Sequence, residues 1–225
     1  MTLVGAAVCP HPPLLVPEIA AGAAAELDGL RECCDAAVSR LLSLSPDLVV
    51  LVGTQRPAEP VRASLASYGV DVPIGRDPLP LASLIGRWLV DRSGWTGPLL
   101  NHVIPTTARV QRCLSDGRLL AGRSNRVAML VMGDGSARRS ERAPGYLDER
   151  ATGFDATVAI ALGSPDPGAL TALDPDLADA LLVAGRAAWQ VLAGAAGDGR
   201  FAAELLYDDA PYGVGYFVAG WTLTA

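Results

Sequence analysis

Strand-sized apolar runs alternate along the chain with segments of helical period, and this alternation constrains the fold more than any other feature. Residues 4–9, 47–53 and 127–132 are near-continuous apolar runs bounded by turn residues, the pattern of strands buried on both faces. Between the first two, Leu27, Leu30, Cys34, Val38 and Leu41 recur at helical spacing, which makes a β–α–β opening. Further helices are predicted over 81–90 and 107–120, with a strand over 98–104 between them. Asp174-Pro175 is an N-cap and first-turn pair for a helix carrying Leu177 and Leu181 and, beyond Gly185, Trp189 and Leu192. Residues 201–207 and 212–223 read as adjacent strands. The expected fold is α/β, a three-layer α/β/α sandwich, with a mixed sheet because the last two strands follow each other directly. With no repeat or long linker, 1–225 is expected to be a single domain. The Pro/Gly-rich pieces near 54–60, 73–80 and 143–146 read as loops over the sheet edge.

Composition narrows the function classes. The chain has 225 residues, 50% of them hydrophobic, enough for one sizeable core. All 18 basic residues are arginine and the formal net charge is −6, so neither a nucleic acid nor a membrane surface is expected as a partner. The run Arg138, Arg139, Arg142 reads as a solvated loop, with capture of one anionic group as the alternative. No run approaches the roughly 20 apolar residues of a membrane span, and the first residues lack a basic n-region, so a cytoplasmic location is expected. Cys9, Cys33, Cys34 and Cys113 have neither disulfide-framework nor CxxC spacing and read as small buried hydrophobes.

Candidate chemistry gathers where strands end. Pro10, Pro12 and Pro13 stop the first strand, leaving His11, one of only two histidines, at its carboxyl end. Thr54-Gln55 follows the second strand, and Asp134–Arg139 follows the strand at 127–132. Ligands collect beyond the carboxyl ends of strands in open α/β sheets, so these three junctions are expected to converge on one pocket.

The segments CPHPPLLVPE (9–18), Asn101-His102 with Val103-Ile104-Pro105, MGDGSARR (132–139), AAWQVLAGA (187–195) and ELLYDDAPYGVGYFVAGW (204–221) resemble class III extradiol ring-cleavage dioxygenases. The resemblance is to the catalytic-subunit type of domain, protocatechuate 4,5-dioxygenase beta-like, and, more distantly, to Memo-like proteins. It spans nearly the whole chain. It implies a non-haem Fe(II) held by two histidines and a glutamate, with positions open for a catechol and dioxygen. His11 matches the first ligand, Glu204 the glutamate and His102 the histidine that helps to hold substrate or oxygen. A small aromatic molecule is the implied ligand, and a homo-oligomer or a partner subunit is implied by the same analogy.

Two departures change what the resemblance implies. At the second histidine ligand the chain has Gln55, whose neutral amide oxygen is a poorer donor to iron than imidazole. At the acid/base histidine it has Ala137, which cannot transfer a proton. Asp134 and Ser136, in the same turn, remain as pocket residues that hydrogen-bond within a tight turn. The expectation is a degenerate iron site with weak or absent Fe(II), ring cleavage lost or strongly diverged, and a small-molecule pocket kept at the strand ends. Two alternatives stand beside it: an active oxygenase using a non-standard set such as His11, Gln55 and Glu204, and a non-catalytic binding subunit. His11, Gln55, His102, Ala137 and Glu204 are expected to face one cavity.

Overall fold

The structure is a computed structural model and describes residues 3–57, 59–62, 64–70 and 78–224. Its elements, in chain order, are β1 (Leu3–Cys9), α1 (Pro17–Ala20), α2 (Asp28–Ser43), β2 (Leu48–Gln55), α3 (Leu81–Arg92), β3 (Leu99–Pro105), α4 (Val110–Ala121), β4 (Val127–Met132), α5 (Arg150–Gly163), α6 (Pro167–Thr171), α7 (Pro175–Ala180), α8 (Arg186–Ala196), β5 (Phe201–Asp209) and β6 (Tyr216–Leu223). Short 3-10 turns lie at Pro13–Leu15, Ala21–Leu27 and Leu65–Tyr68.

The six strands form one sheet in the order β3-β2-β4-β1-β6-β5. β3, β2, β4 and β1 are mutually parallel, β6 is added antiparallel to β1, and β5 is added antiparallel to β6. The sheet is therefore mixed, and it is the middle layer of a three-layer α/β/α sandwich. Strand alternation divides the core. Val8, Val50, Val52 and Val131 point to one face and pack with Cys113 and Leu120 of α4, Phe154 and Val158 of α5, and Trp189 and Leu192 of α8. Ala7, Cys9, Leu51 and Leu130 point to the other and pack with Leu30, Cys34 and Val38 of α2 and Leu84, Ile85 and Leu89 of α3. β4 is buried at every residue, as a central strand covered on both faces must be.

α1, α5 and α6 correspond to no predicted helix, and two predicted elements take a different form. The predicted helix from Asp174 through Leu192 is two helices, α7 and α8, interrupted over 181–185 with Leu182 at φ 58°. Asp174 does cap α7, its side chain accepting from the amides of Asp176 and Leu177. The apolar positions on either side of the break lie in register with helical spacing, so periodicity alone bridges it. The strand expected over 212–223 begins only at Tyr216, because 210–215 is the turn that returns the chain from β5, with Gly213 at φ 73°. Of the loop near 73–80, residues 73–77 lie outside the described residues. No helix among the described residues is long and apolar enough to cross a membrane.

Candidate functional site

β1, β2 and β4 are adjacent and parallel, so their carboxyl ends open on the same edge of the sheet. A cavity of about 350 Å³ lies there, lined by His11 and Pro13 after β1, Thr54, Arg56 and Glu59 at and after β2, and Asp134, Gly135 and Ala137 after β4. All three junctions thus contribute to it. Leu81 at the start of α3, Leu182, Ala184 and Val214 complete the wall.

His11 is 8% exposed, and its geometry comes from the turn that follows β4. Its backbone amide donates to Asp134 Oδ1 at 2.7 Å, and its ring Nδ1 lies 3.4 Å from the same oxygen. Nδ1 is enclosed and has no hydrogen-bond partner among the described residues, so the carboxylate faces the ring without being in line with it.

The turn itself is tied down from three directions. Gly135 donates its amide to Gly215 O at 2.7 Å, Gly215 returns one to Ser136 O at 2.9 Å, and Ala137 donates to Leu181 O at 3.0 Å. Ser136 is fully buried and turns away from the cavity, donating its hydroxyl to Asp155 Oδ2 at 2.7 Å and its amide to Asp155 Oδ1 at 2.9 Å. Arg139 reaches the same carboxylate at 3.2 Å. Burial pushes the Asp155 carboxyl up from its usual range, while the Ser136 and Arg139 contacts pull the other way. Two glycines make the packing possible. A Cβ on Gly133 would lie 2.5 Å from Gly185 Cα, and one on Gly215 would lie 2.5 Å from Asp155 Oδ2. Behind the turn, Tyr216 is pushed far up by burial and, secondarily, by the Asp134 carboxylate, so its phenol stays protonated.

The wall supplied by β2 is set by strand period two. Thr54 and Arg56 face the cavity, which leaves Gln55 between them pointing elsewhere. Its Nε2 donates to Glu59 O at 3.2 Å. The Glu59 carboxylate accepts from the amides of Arg56 at 3.0 Å and Leu81 at 3.4 Å, joining the loop to the start of α3. The Arg56 guanidinium donates to Leu182 O at 2.6 Å. The interruption between α7 and α8 makes that carbonyl available and puts Leu182 and Ala184 into the wall, a contribution that helical periodicity conceals.

Of the five residues expected to face one cavity, His11 and Ala137 do so; Gln55, His102 and Glu204 do not. His102 is on β3, the edge strand beyond β2, and its Nε2 lies 3.2 Å from Asp116 Oδ2 of α4. Glu204 is on β5, the opposite edge strand, level with Gly220 and through it with Ala7, well back from the end of β1. Its side chain is 57% exposed, pairs with Arg40 of α2 and lines a separate cavity of about 170 Å³. The physical reason is position: β5 runs in the same direction as β1 but two strands away from it, and Glu204 lies midway along β5, five residues before its carboxyl end at Asp209. Asp134 lines the main cavity, whereas Ser136 supports it from behind. The arginine run is not uniformly solvated. Arg139 is paired with Asp155, and Arg138 Nε is buried without a partner among the described residues, while Arg142 is exposed.

A His/Gln/Glu set for Fe(II) does not fit this arrangement, because His11, Gln55 and Glu204 are directed to three different surroundings. Among the described residues, no group of three or more His, Cys, Asp or Glu side chains is placed to hold a metal ion. Sequence reasoning missed Arg56, Glu59 and Leu182; an arginine and a glutamate in a Pro-containing loop directly after a strand are a signal for the first two, and Leu182 has none.

No family model matches the chain, and no curated protein matches it. Among solved structures, the chain is similar to the uncharacterized protein JW3007 from Escherichia coli K12, with a TM-score of 0.53 at 13% identity, covering 97% of this chain and 99% of that one. At that identity, the likeness is one of fold.

Proposed function

We propose that the chain is a class III extradiol dioxygenase-like domain that has lost or strongly diverged from ring cleavage and works through a small-molecule pocket at the carboxyl ends of β1, β2 and β4. The observation that carries this reading is the composition of the 350 Å³ cavity: His11 lines it with Ala137 beside it, while Glu204 is held elsewhere by Arg40. The volume lies in the range of small-molecule sites. The polar groups are few and convergent, and Pro13, Leu81, Leu182 and Val214 supply apolar wall. Ring cleavage needs a positioned proton carrier as well as a metal, and Ala137 removes a contribution typically worth about 10²- to 10⁴-fold.

The test is oxygen consumption by the purified protein with catechol and protocatechuate, with and without added Fe(II) under reducing conditions. No turnover above the uncatalysed background is expected. Uptake at rates ordinary for enzymes, abolished by His11→Ala, would overturn the loss of activity and favour an oxygenase with a non-standard ligand set.

A further inference from the structure

The charges around the cavity are unequal and separated. Arg56, Glu59 and Asp134 are the charged side chains in its wall, and His11 is the other titratable one. Both Glu59 oxygens are engaged by backbone amides. Asp134 Oδ1 is engaged by the His11 amide, but Oδ2 accepts no hydrogen bond among the described residues and is not enclosed, so it faces open space. Arg56 has a carbonyl partner at Leu182 but no carboxylate within ion-pair distance among the described residues. One guanidinium and one carboxylate oxygen therefore line the same cavity, each with bonding capacity left over.

His11 adds an independent indication of a ligand. The residue is more than nine-tenths buried, and its Nδ1 has no partner among the described residues. Its Nε2 likewise has none and is not enclosed, which makes Nε2 the ring atom presented to the cavity. Buried polar groups are ordinarily satisfied, and the enclosed Nδ1 is an exception held in the wall of this cavity, while the accessible Nε2 gives a bound molecule a further polar group to meet.

A purely anionic ligand would meet Arg56 but also two carboxylates, and a purely cationic one would leave the guanidinium uncompensated. We propose, building on the pocket reading above, that the cavity binds a small zwitterion: a carboxylate at Arg56 and an ammonium at Asp134 Oδ2, an α-amino-acid head group with its side chain against Pro13, Leu81, Leu182 and Val214. The guanidinium fork suits a carboxylate, and the Leu182 carbonyl holds one of its arms in place. No metal takes part in this recognition.

Isothermal titration with five probes tests it: glycine, L-phenylalanine, phenylalaninamide lacking the carboxylate, N-acetyl-L-phenylalanine lacking the ammonium, and benzyl alcohol lacking both. L-phenylalanine is expected to bind tightest, and a metal chelator to leave its affinity unchanged. Arg56→Gln should weaken L-phenylalanine about 10- to 100-fold and leave phenylalaninamide unaffected. Asp134→Asn should weaken both of those and spare N-acetyl-L-phenylalanine. Arg56→Lys, which keeps the charge, should retain part of the affinity, and unchanged circular dichroism identifies variants that remain folded. Equal binding of L-phenylalanine and either singly charged probe, or an unchanged affinity in folded Arg56→Gln, would overturn the proposal. Binding of benzyl alcohol alone would overturn it while leaving the pocket reading standing; binding of none of the five to the parent protein would sink both.

Discussion

The turn after β4 and the edge strand β5 each carry a carboxylate that stands out in the sequence, and the two are held in contrasting ways. Asp134 lies just beyond the end of a central strand flanked by β1 and β2, so its neighbours are the ends of parallel strands and the cavity they open on. Glu204 lies midway along an antiparallel edge strand, 57% exposed and paired with an equally exposed arginine. The turn is fastened by buried hydrogen bonds to Asp155 and by backbone bonds to two other segments, whereas the Glu204 side chain is joined to α2 by a solvent-facing ion pair. Position in the sheet, more than residue type, decides whether a carboxylate contributes to a site.

The largest effect should come from the anchor of the turn. Asp155→Ala leaves the buried Ser136 amide and hydroxyl without an acceptor and strips Arg139 of its partner, with an expected loss of about 3 kcal/mol in urea unfolding. A loss under about 1 kcal/mol would mean that the turn is not fastened there.

A matched pair of glycines gives the next contrast. Gly133→Ala drives a Cβ against Gly185 Cα and the Trp189 ring, with an expected cost of about 1–3 kcal/mol. Gly220→Ala, opposite Glu204, meets nothing within 4 Å and should change stability by no more than about 0.5 kcal/mol. Equal effects in thermal melts would erase the difference between the two regions.

Removing the flank's ion pair should matter less. Glu204→Ala is expected to cost under about 1 kcal/mol and to leave binding of any ligand in the His11 cavity unchanged. A shift in that binding would connect the regions that the structure separates.

The smallest expected effect is one of pH. Burial raises the folded-state pKa of Asp155, so its share of stability is fully present below the ordinary carboxylate value and is lost as pH rises through the raised one. From about pH 4 upward, the parent should therefore lose stability relative to Asp155→Asn until that titration is complete. Parallel stability curves for the two proteins would contradict the sign.

Much of the scaffold is legible in the chain because its signals are local. Apolar runs bounded by glycine and proline mark β1, β2 and β4, helical period marks α2, α3 and α4, and Asp174-Pro175 marks the start of α7. The strand-end rule likewise locates the mouth where His11, Thr54 and Asp134 meet. What periodicity cannot register is an interruption that keeps its phase, and so the break at Leu182, which supplies a wall of the cavity and the carbonyl that orients Arg56, is visible only in the fold.

The sequence by itself determined the three layers, the mixed sheet and the edge on which a site can form, since these follow from patterning and from the short path between consecutive strands. Tertiary structure alone decided which side chains share that edge. Gln55 is excluded by a one-residue alternation, His102 by placement on one edge strand and Glu204 by placement on the other, while Arg56 and Glu59 enter through a loop. Strand order in a sheet is a long-range choice made by packing both faces at once, and residues more than a hundred positions apart, such as His11 and Asp134, meet only after that choice is made.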